Sequence, residues 1–159
     1  MKLKTLWVVA GVLLVAACHQ PAPETGTSGG GAAPPPAGEV GRDAAIQQLQ
    51  QVGDRVFFAF DRSDITPEAQ QILSRQAQLL QANPSIGITI AGNCDERGTR
   101  EYNLGLGERR ANAAKQALVA LGINPARIQT ISYGKERPSV PGHNEQAWAQ
   151  NRNAITTIN

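Results

Sequence analysis

Residues 90–111 read I-A-G-N-C-D-E-R-G-T-R-E-Y-N-L-G-L-G-E-R-R-A, and the parsing of this stretch decides how the rest of the chain is organised. It opens in an apolar alternation that predicts a strand, turns at Gly98 and runs into a long helical pattern. Asp95, Asn103 and Arg110 fall at that strand-to-helix corner. Asn103 and Arg110 are seven residues apart, about two helical turns, so they share one face. Asp95 lies on the loop feeding the helix N-terminus, where unpaired backbone N–H groups hold anions. A carboxylate accepts from an ammonium, and arginine pairs with a carboxylate in fork geometry. The set therefore suits a zwitterion. It also suits a structural Asp–Arg pair tying loop to helix, and on chemistry alone that is the commoner arrangement.

Working outward, residues 55–60 (R-V-F-F-A-F) are aromatic and β-branched and predict a first strand. Thr66-Pro67 is a helix start, an N-cap followed by proline at the first position. Ala69, Ile72, Leu73, Ala77 and Leu80 keep helical spacing until Asn83-Pro84 stops them. Residues 86–91 predict a second strand, and a second helix follows over 99–121. Tyr102, Leu106, Ala113 and Ala117 form its expected apolar stripe, and Gly122 closes it. A third strand over 127–133, a loop with Pro138 and Pro141, a short helix over 145–150 and a last strand over 154–158 complete the pattern. The order β-α-β-α-β-β predicts an α+β domain over residues 52–159, two layers with helices packed on a mixed sheet. Strand order is not legible at this stage.

The N-terminus carries an address. Residues 1–4 are cationic and 6–17 form an apolar run of 12 residues, the length of a signal peptide rather than of a bilayer span of about 20 residues. Leu14-Val15-Ala16-Ala17-Cys18 resembles the bacterial lipobox, which implies a signal peptide over 1–17 and lipidation of Cys18. An ordinary signal peptide with a chance cysteine is the alternative. More than one acyl chain anchors durably, at about 0.8 kcal/mol per buried methylene. His19 stands where an aspartate would favour inner-membrane retention, so the motif's rule points to the outer membrane. Residues 19–41 hold five prolines and six glycines with little to bury, which predicts a disordered tether. Fully extended, its 23 residues reach at most roughly 75 Å. As a relaxed coil they span about 25–30 Å. Residues 18–51 form this acylated, Pro/Gly-rich connector, with a short helix expected over 42–51.

The formal charge of +2 depends on Lys2 and Lys4. Without them, 13 basic residues balance 13 acidic ones. A neutral chain with no basic block argues against nucleic acid and against electrostatic membrane binding. With Cys18 acylated, Cys94 has no partner for a disulfide within the chain; it reads as a small core side chain, with a reactive thiol as the weaker alternative. Enzymatic readings are weak. Cys94 and His143 lie on different loops with no residue to orient the histidine, and a chain with two histidines is a poor metal-site candidate. Asp61, Asp64, Asp95 and Glu96 are carboxylates of the kind that cap turns and helices. Gly105-x-Gly107 and Gly134-Lys135 lack the spacing of phosphate loops.

The motifs F-A-F-D-R-S-D-I, G-N-C-D-E-R-G-T-R-E-Y-N-L-G-L-G-E-R-R-A-N-A, I-S-Y-G-K-E-R-P and N-R-N-A resemble those of the OmpA-like peptidoglycan-binding domain family. The resemblance covers residues 52–159. It implies a non-catalytic domain, without cofactor or metal, that captures the meso-diaminopimelate residue of the peptidoglycan stem peptide. Carried over by position, Asp95 accepts from the ligand's ammonium, Arg110 pairs with its carboxylate, and Asn103 adds an amide. Asp61 matches a further pocket carboxylate, and Arg152 the first arginine of the family's N-R-R motif. Asn153 stands in place of the second. The resemblance also implies anchorage in the outer membrane with the domain in the periplasm. It further implies competition for the wall site by a periplasmic β-propeller partner, TolB, within a Tol system that includes other Tol proteins.

Overall fold

The structure, a computed structural model, describes residues 37–159, with side chains from residue 41 onward. The signal peptide, Cys18 and most of the tether lie outside the described residues. From the N-terminus the elements are helix α1 (Ala37–Val52), strand β1 (Arg55–Phe57), α2 (Pro67–Ala82), β2 (Ile88–Asn93), α3 (Arg100–Ala120), a 3₁₀ turn (Pro125–Arg127), β3 (Ile128–Gly134), α4 (Glu145–Asn151) and β4 (Asn153–Ile158). The sheet order is β1-β4-β2-β3. β2 and β3 run parallel, with Ile90 opposite Thr130, and β4 is antiparallel to both β1 and β2. The sheet is mixed and the fold α+β, as the element order predicts.

Local chemistry accounts for the boundaries. The Thr66 hydroxyl accepts from Ala69 N–H at 3.2 Å with Pro67 opening α2, and Thr99 does the same for Tyr102 N–H at the start of α3. These bonds satisfy donors that a helix start leaves orphaned. Gly122, at φ +91°, ends α3 where a left-handed residue is required. The core lies between one sheet face and three helices. Ala45 and Leu49 of α1, Leu73, Ala77 and Leu80 of α2, and Ala111, Ala114 and Leu118 of α3 meet Val56, Ile88, Ile90, Ile128 and Ala154. The helix expected over 42–51 is thus longer, and it packs into the domain core.

Two expectations are corrected. The first strand ends at Phe57 rather than continuing to residue 60. Beyond Phe58, whose N–H reaches Arg152 O at 2.9 Å, the carbonyls of Ala59 and Arg62 turn toward Arg110 instead of a neighbouring strand. The inward face of α3 also departs from the predicted stripe, of which Leu106 is buried and Ala117 packs against the core. Asn103, Leu106, Gly107, Arg110, Ala111, Ala114 and Leu118 are buried, while Tyr102 is 48 % exposed. Polar side chains occupy the core-facing row, so hydrophobicity alone selected the wrong angle around the helix. Gly107 packs against Gly92 so closely that a Cβ on Gly92 would overlap the Gly107 carbonyl. That close approach brings α3 down onto β2 and sets the corner where the site residues meet.

Candidate functional site

At the corner, residues 60–61 beyond β1, the 94–98 segment and the first three turns of α3 enclose a cleft of about 180 Å³. Asp61, Asp95, Asn103 and Arg110 all line it, together with Phe60, Arg97 and Leu106. Four of the five expected ligand residues are therefore brought together. Arg152 is not among the lining residues and stands behind Asp95.

Arg110 is fully buried. Its Nε donates to Arg62 O at 2.8 Å, Nη1 to Asn93 O at 2.8 Å and Nη2 to Ala59 O at 3.1 Å. Its face lies 5.2 Å from the Phe58 ring centroid. A guanidinium has five N–H donors, so these three bonds leave two. Among the described residues Arg110 makes no salt bridge. Burial pulls its pKa below the ordinary guanidinium value, against weaker opposing effects from Cys94 and the nearby carboxylates. The structural Asp95–Arg110 ion pair is thus absent. Each charge is held by other groups, with a cleft between them.

Asp95 is 4 % exposed. Arg97 reaches it three times, through N–H and Nε on Oδ1 at 3.1 and 3.2 Å and through Nη2 on Oδ2 at 2.6 Å. Arg152 Nη1 adds a bond to Oδ2 at 3.2 Å. Burial by itself raises the carboxyl pKa, but the Arg97 and Arg152 bonds outweigh it and hold the group below the usual carboxylate range. Arg152 is fixed in turn by Phe58 O at 3.1 Å and Glu145 Oε1 at 2.7 Å. Asn103 spends its amide N–H groups on Arg97 O at 2.8 Å and Thr99 O at 3.1 Å, which shapes the loop carrying Arg97.

Asp61 is the only non-glycine residue at positive φ among the described residues, at +57°. Its exposed carboxylate accepts from Tyr102 Oη. Left-handed backbone costs a non-glycine residue about 1–2 kcal/mol, and such strain concentrates at ligand sites. Asn153 is fully buried. It accepts from Asn93 Nδ2 at 2.8 Å and donates to Ser139 Oγ and Gln150 O. Cys94 is buried, and burial raises its thiol pKa, which disfavours the nucleophilic thiolate. His143 engages Glu96 Oε2 at 2.7 Å.

Sequence reasoning did not assign Phe60, Arg97, Leu106 or Trp148 to the site. Phe60 ends an apolar run that reads as strand, and Arg97 reads as an ordinary loop charge beside Glu96. No spacing in the sequence connects Trp148, 51 positions further on, to Arg97.

Residues 57–152 match the model of the OmpA family. The chain belongs to the OmpA family. Among this family's members, it is similar to the peptidoglycan-associated lipoprotein of Pasteurella multocida, 40% identical over 152 residues, which cover 96% of this chain and 95% of the relative. A peptidoglycan-associated lipoprotein of Brucella melitensis is 54% identical over 108 residues, 68% of this chain. The chain spans 64% of that relative's length. The crystal structure of the peptidoglycan-associated lipoprotein from Burkholderia pseudomallei superposes with a TM-score of 0.66 at 44% identity, covering 67% of this chain and 91% of that one. The sheet and helices of the OmpA family thus carry the cleft described above.

Proposed function

We propose that this chain is a lipoprotein of the outer membrane whose periplasmic domain binds peptidoglycan without covalent chemistry. The ligand in this reading is the meso-diaminopimelate residue of the stem peptide, whose side chain ends in an ammonium and a carboxylate on one carbon. The observation that carries the reading is Arg110, a buried guanidinium with two spare donors, lining a cleft and lacking a salt-bridge partner among the described residues. A buried cation without a counter-charge is costly, and a ligand carboxylate entering the cleft relieves that cost. Asp61 and Asp95 supply the opposite charge for the ammonium, Asn103 shapes the wall, and Arg152 holds Asp95 in aim. The names of the relatives support the same ligand class.

Charge-assisted bonds of about 1.5–3 kcal/mol each, less the cost of ordering and desolvation, give a reversible grip of moderate strength. Anchorage through an acylated Cys18 raises the effective concentration of the domain at the wall. The chain then acts in a Tol–Pal-type system supporting envelope integrity and cell division, with TolB competing at the cleft. Exposed Phe60 and Tyr102 at its mouth suit a protein contact. The deciding experiment is pull-down of the full-length chain on purified sacculi with free meso-diaminopimelate as competitor. Release by the free amino acid, and loss of retention in Asp61→Asn, are the expected results. Retention indifferent to both refutes the assignment. Simultaneous tight binding of sacculi and TolB refutes the competition alone.

A further inference from the structure

The Asp95 carboxylate has no vacancy for another donor as it stands. A carboxylate offers about four lone-pair positions, and the three bonds from Arg97 and the one from Arg152 use them. Two of these come from the Arg97 side chain, the more loosely held partner. The Arg152 side chain is 8% exposed and committed at all three nitrogens. The Arg97 side chain is 31% exposed and precedes Gly98, at φ +90°. Its guanidinium carbon lies 4.0 Å from the Phe60 ring centroid and 4.2 Å from that of Trp148. Aromatic faces beside a carboxylate make a slot that selects positive charge. Glu96 steadies the Trp148 side, accepting from its Nε1 at 2.8 Å and pairing with His143 Nδ1 at 2.7 Å.

We propose that Arg97 is a built-in occupant of a cation slot formed by Asp95, Phe60 and Trp148, and that a ligand's ammonium enters by displacing it. The inference rests on the reading of the cleft as an amino-acid site. Withdrawal of the Arg97 side chain frees one lone pair on each Asp95 oxygen. The Arg97 backbone N–H and Arg152 remain and keep the carboxylate aimed. The displaced guanidinium has a destination, since Glu145 Oε2 already lies 3.7 Å from Nη1 and is exposed to solvent. One cation replaces another, so the charge at Asp95 stays balanced throughout. A ligand without an ammonium has nothing to exchange, and self-occupancy thereby adds selectivity at the expense of affinity.

The test uses the full-length chain, with Arg97→Ala and Arg97→Gln as variants and thermal melting to establish that each folds. Meso-diaminopimelate binding is measured by calorimetry. Trp148 emission, which stands alone once residues 1–17 with Trp7 are removed and is isolated by Trp7→Phe where they are retained, reports entry of methylguanidinium as a bare cation probe. If Arg97 fills the slot in about nine-tenths of molecules, its removal tightens diaminopimelate binding about tenfold. Methylguanidinium then shifts Trp148 emission in the variants and not in the parent chain. Diaminopimelate binding by both variants no tighter than the parent overturns the self-occupancy and leaves the ligand assignment standing. Methylguanidinium entry into the variants, with no diaminopimelate binding by any chain, sustains the slot and refutes the diaminopimelate reading. Folded variants that ignore methylguanidinium overturn the slot itself.

Discussion

Replacing Arg110 by alanine should damage the fold as well as the site, and the size of the loss follows from its bonds. Three carbonyls lose their guanidinium donors: that of buried Asn93, and those of Ala59 and Arg62, which belong to exposed residues. An acceptor left buried and unsatisfied costs about 1–3 kcal/mol, the space vacated by so large a buried side chain adds about 2–5 kcal/mol, and the contact with Phe58 is lost as well. Against this, the variant no longer buries an unpaired cation, a relief of several kcal/mol. The expected net loss is about 3–5 kcal/mol, at the upper end for single substitutions. With a urea slope of about 2 kcal/mol/M, the midpoint falls by about 1.5–2.5 M at unchanged slope. Arg110→Lys keeps the charge but not the fork, and should lose about half as much. An Arg110→Ala midpoint within about 0.3 M of the parent would falsify the claim that this guanidinium organises the corner. The consequence for binding studies is practical: loss of sacculus retention in Arg110→Ala does not separate ligand contact from fold, whereas Asp61→Asn does.

Other outcomes follow from the same geometry. The folded carboxyl of Asp95 lies below its ordinary value, so its contribution to stability is complete above the unfolded pKa of about 3.9 and disappears as pH falls through the folded value. Acid titration of urea midpoints should show that loss in the parent chain and a flatter profile in Asp95→Asn. Gly92→Ala should abolish folding or cost more than about 3 kcal/mol, because its Cβ meets the Gly107 backbone; a normal circular-dichroism melt contradicts the close approach of α3 to β2. Leu49→Ala should cost about 2–4 kcal/mol in urea melts, since Leu49 is 5% exposed in the shared core. A negligible effect would detach α1 from the cooperative unit.

Much of the fold was legible because its signals are local. Thr66-Pro67, Thr99 and Gly122 announce helix ends through bonds made within a few residues, and the apolar runs around Ile90, Ile131 and Ile155 announce strands. The core-facing side of α3 was not legible, because Asn103 and Arg110 are polar residues whose burial depends on carbonyls from distant segments. The retreat of the first strand to Phe57 has the same origin, since Arg110 claims carbonyls that an extended strand would offer to a neighbour.

The amino-acid sequence by itself determined the element order, the near-balance of charge, the N-terminal address motif and the clustering of Asp95, Asn103 and Arg110 at one corner. Each of these is a matter of composition or of short-range spacing along one chain. Tertiary structure alone decided the strand order, the separation of Asp95 from Arg110 and the assembly of Phe60, Arg97 and Trp148 around one carboxylate. Those features join segments up to 100 positions apart, Arg55 of β1 opposite Ile155 of β4. Desolvation, close packing and hydrogen-bond satisfaction act on such groups only once the sheet has brought them together.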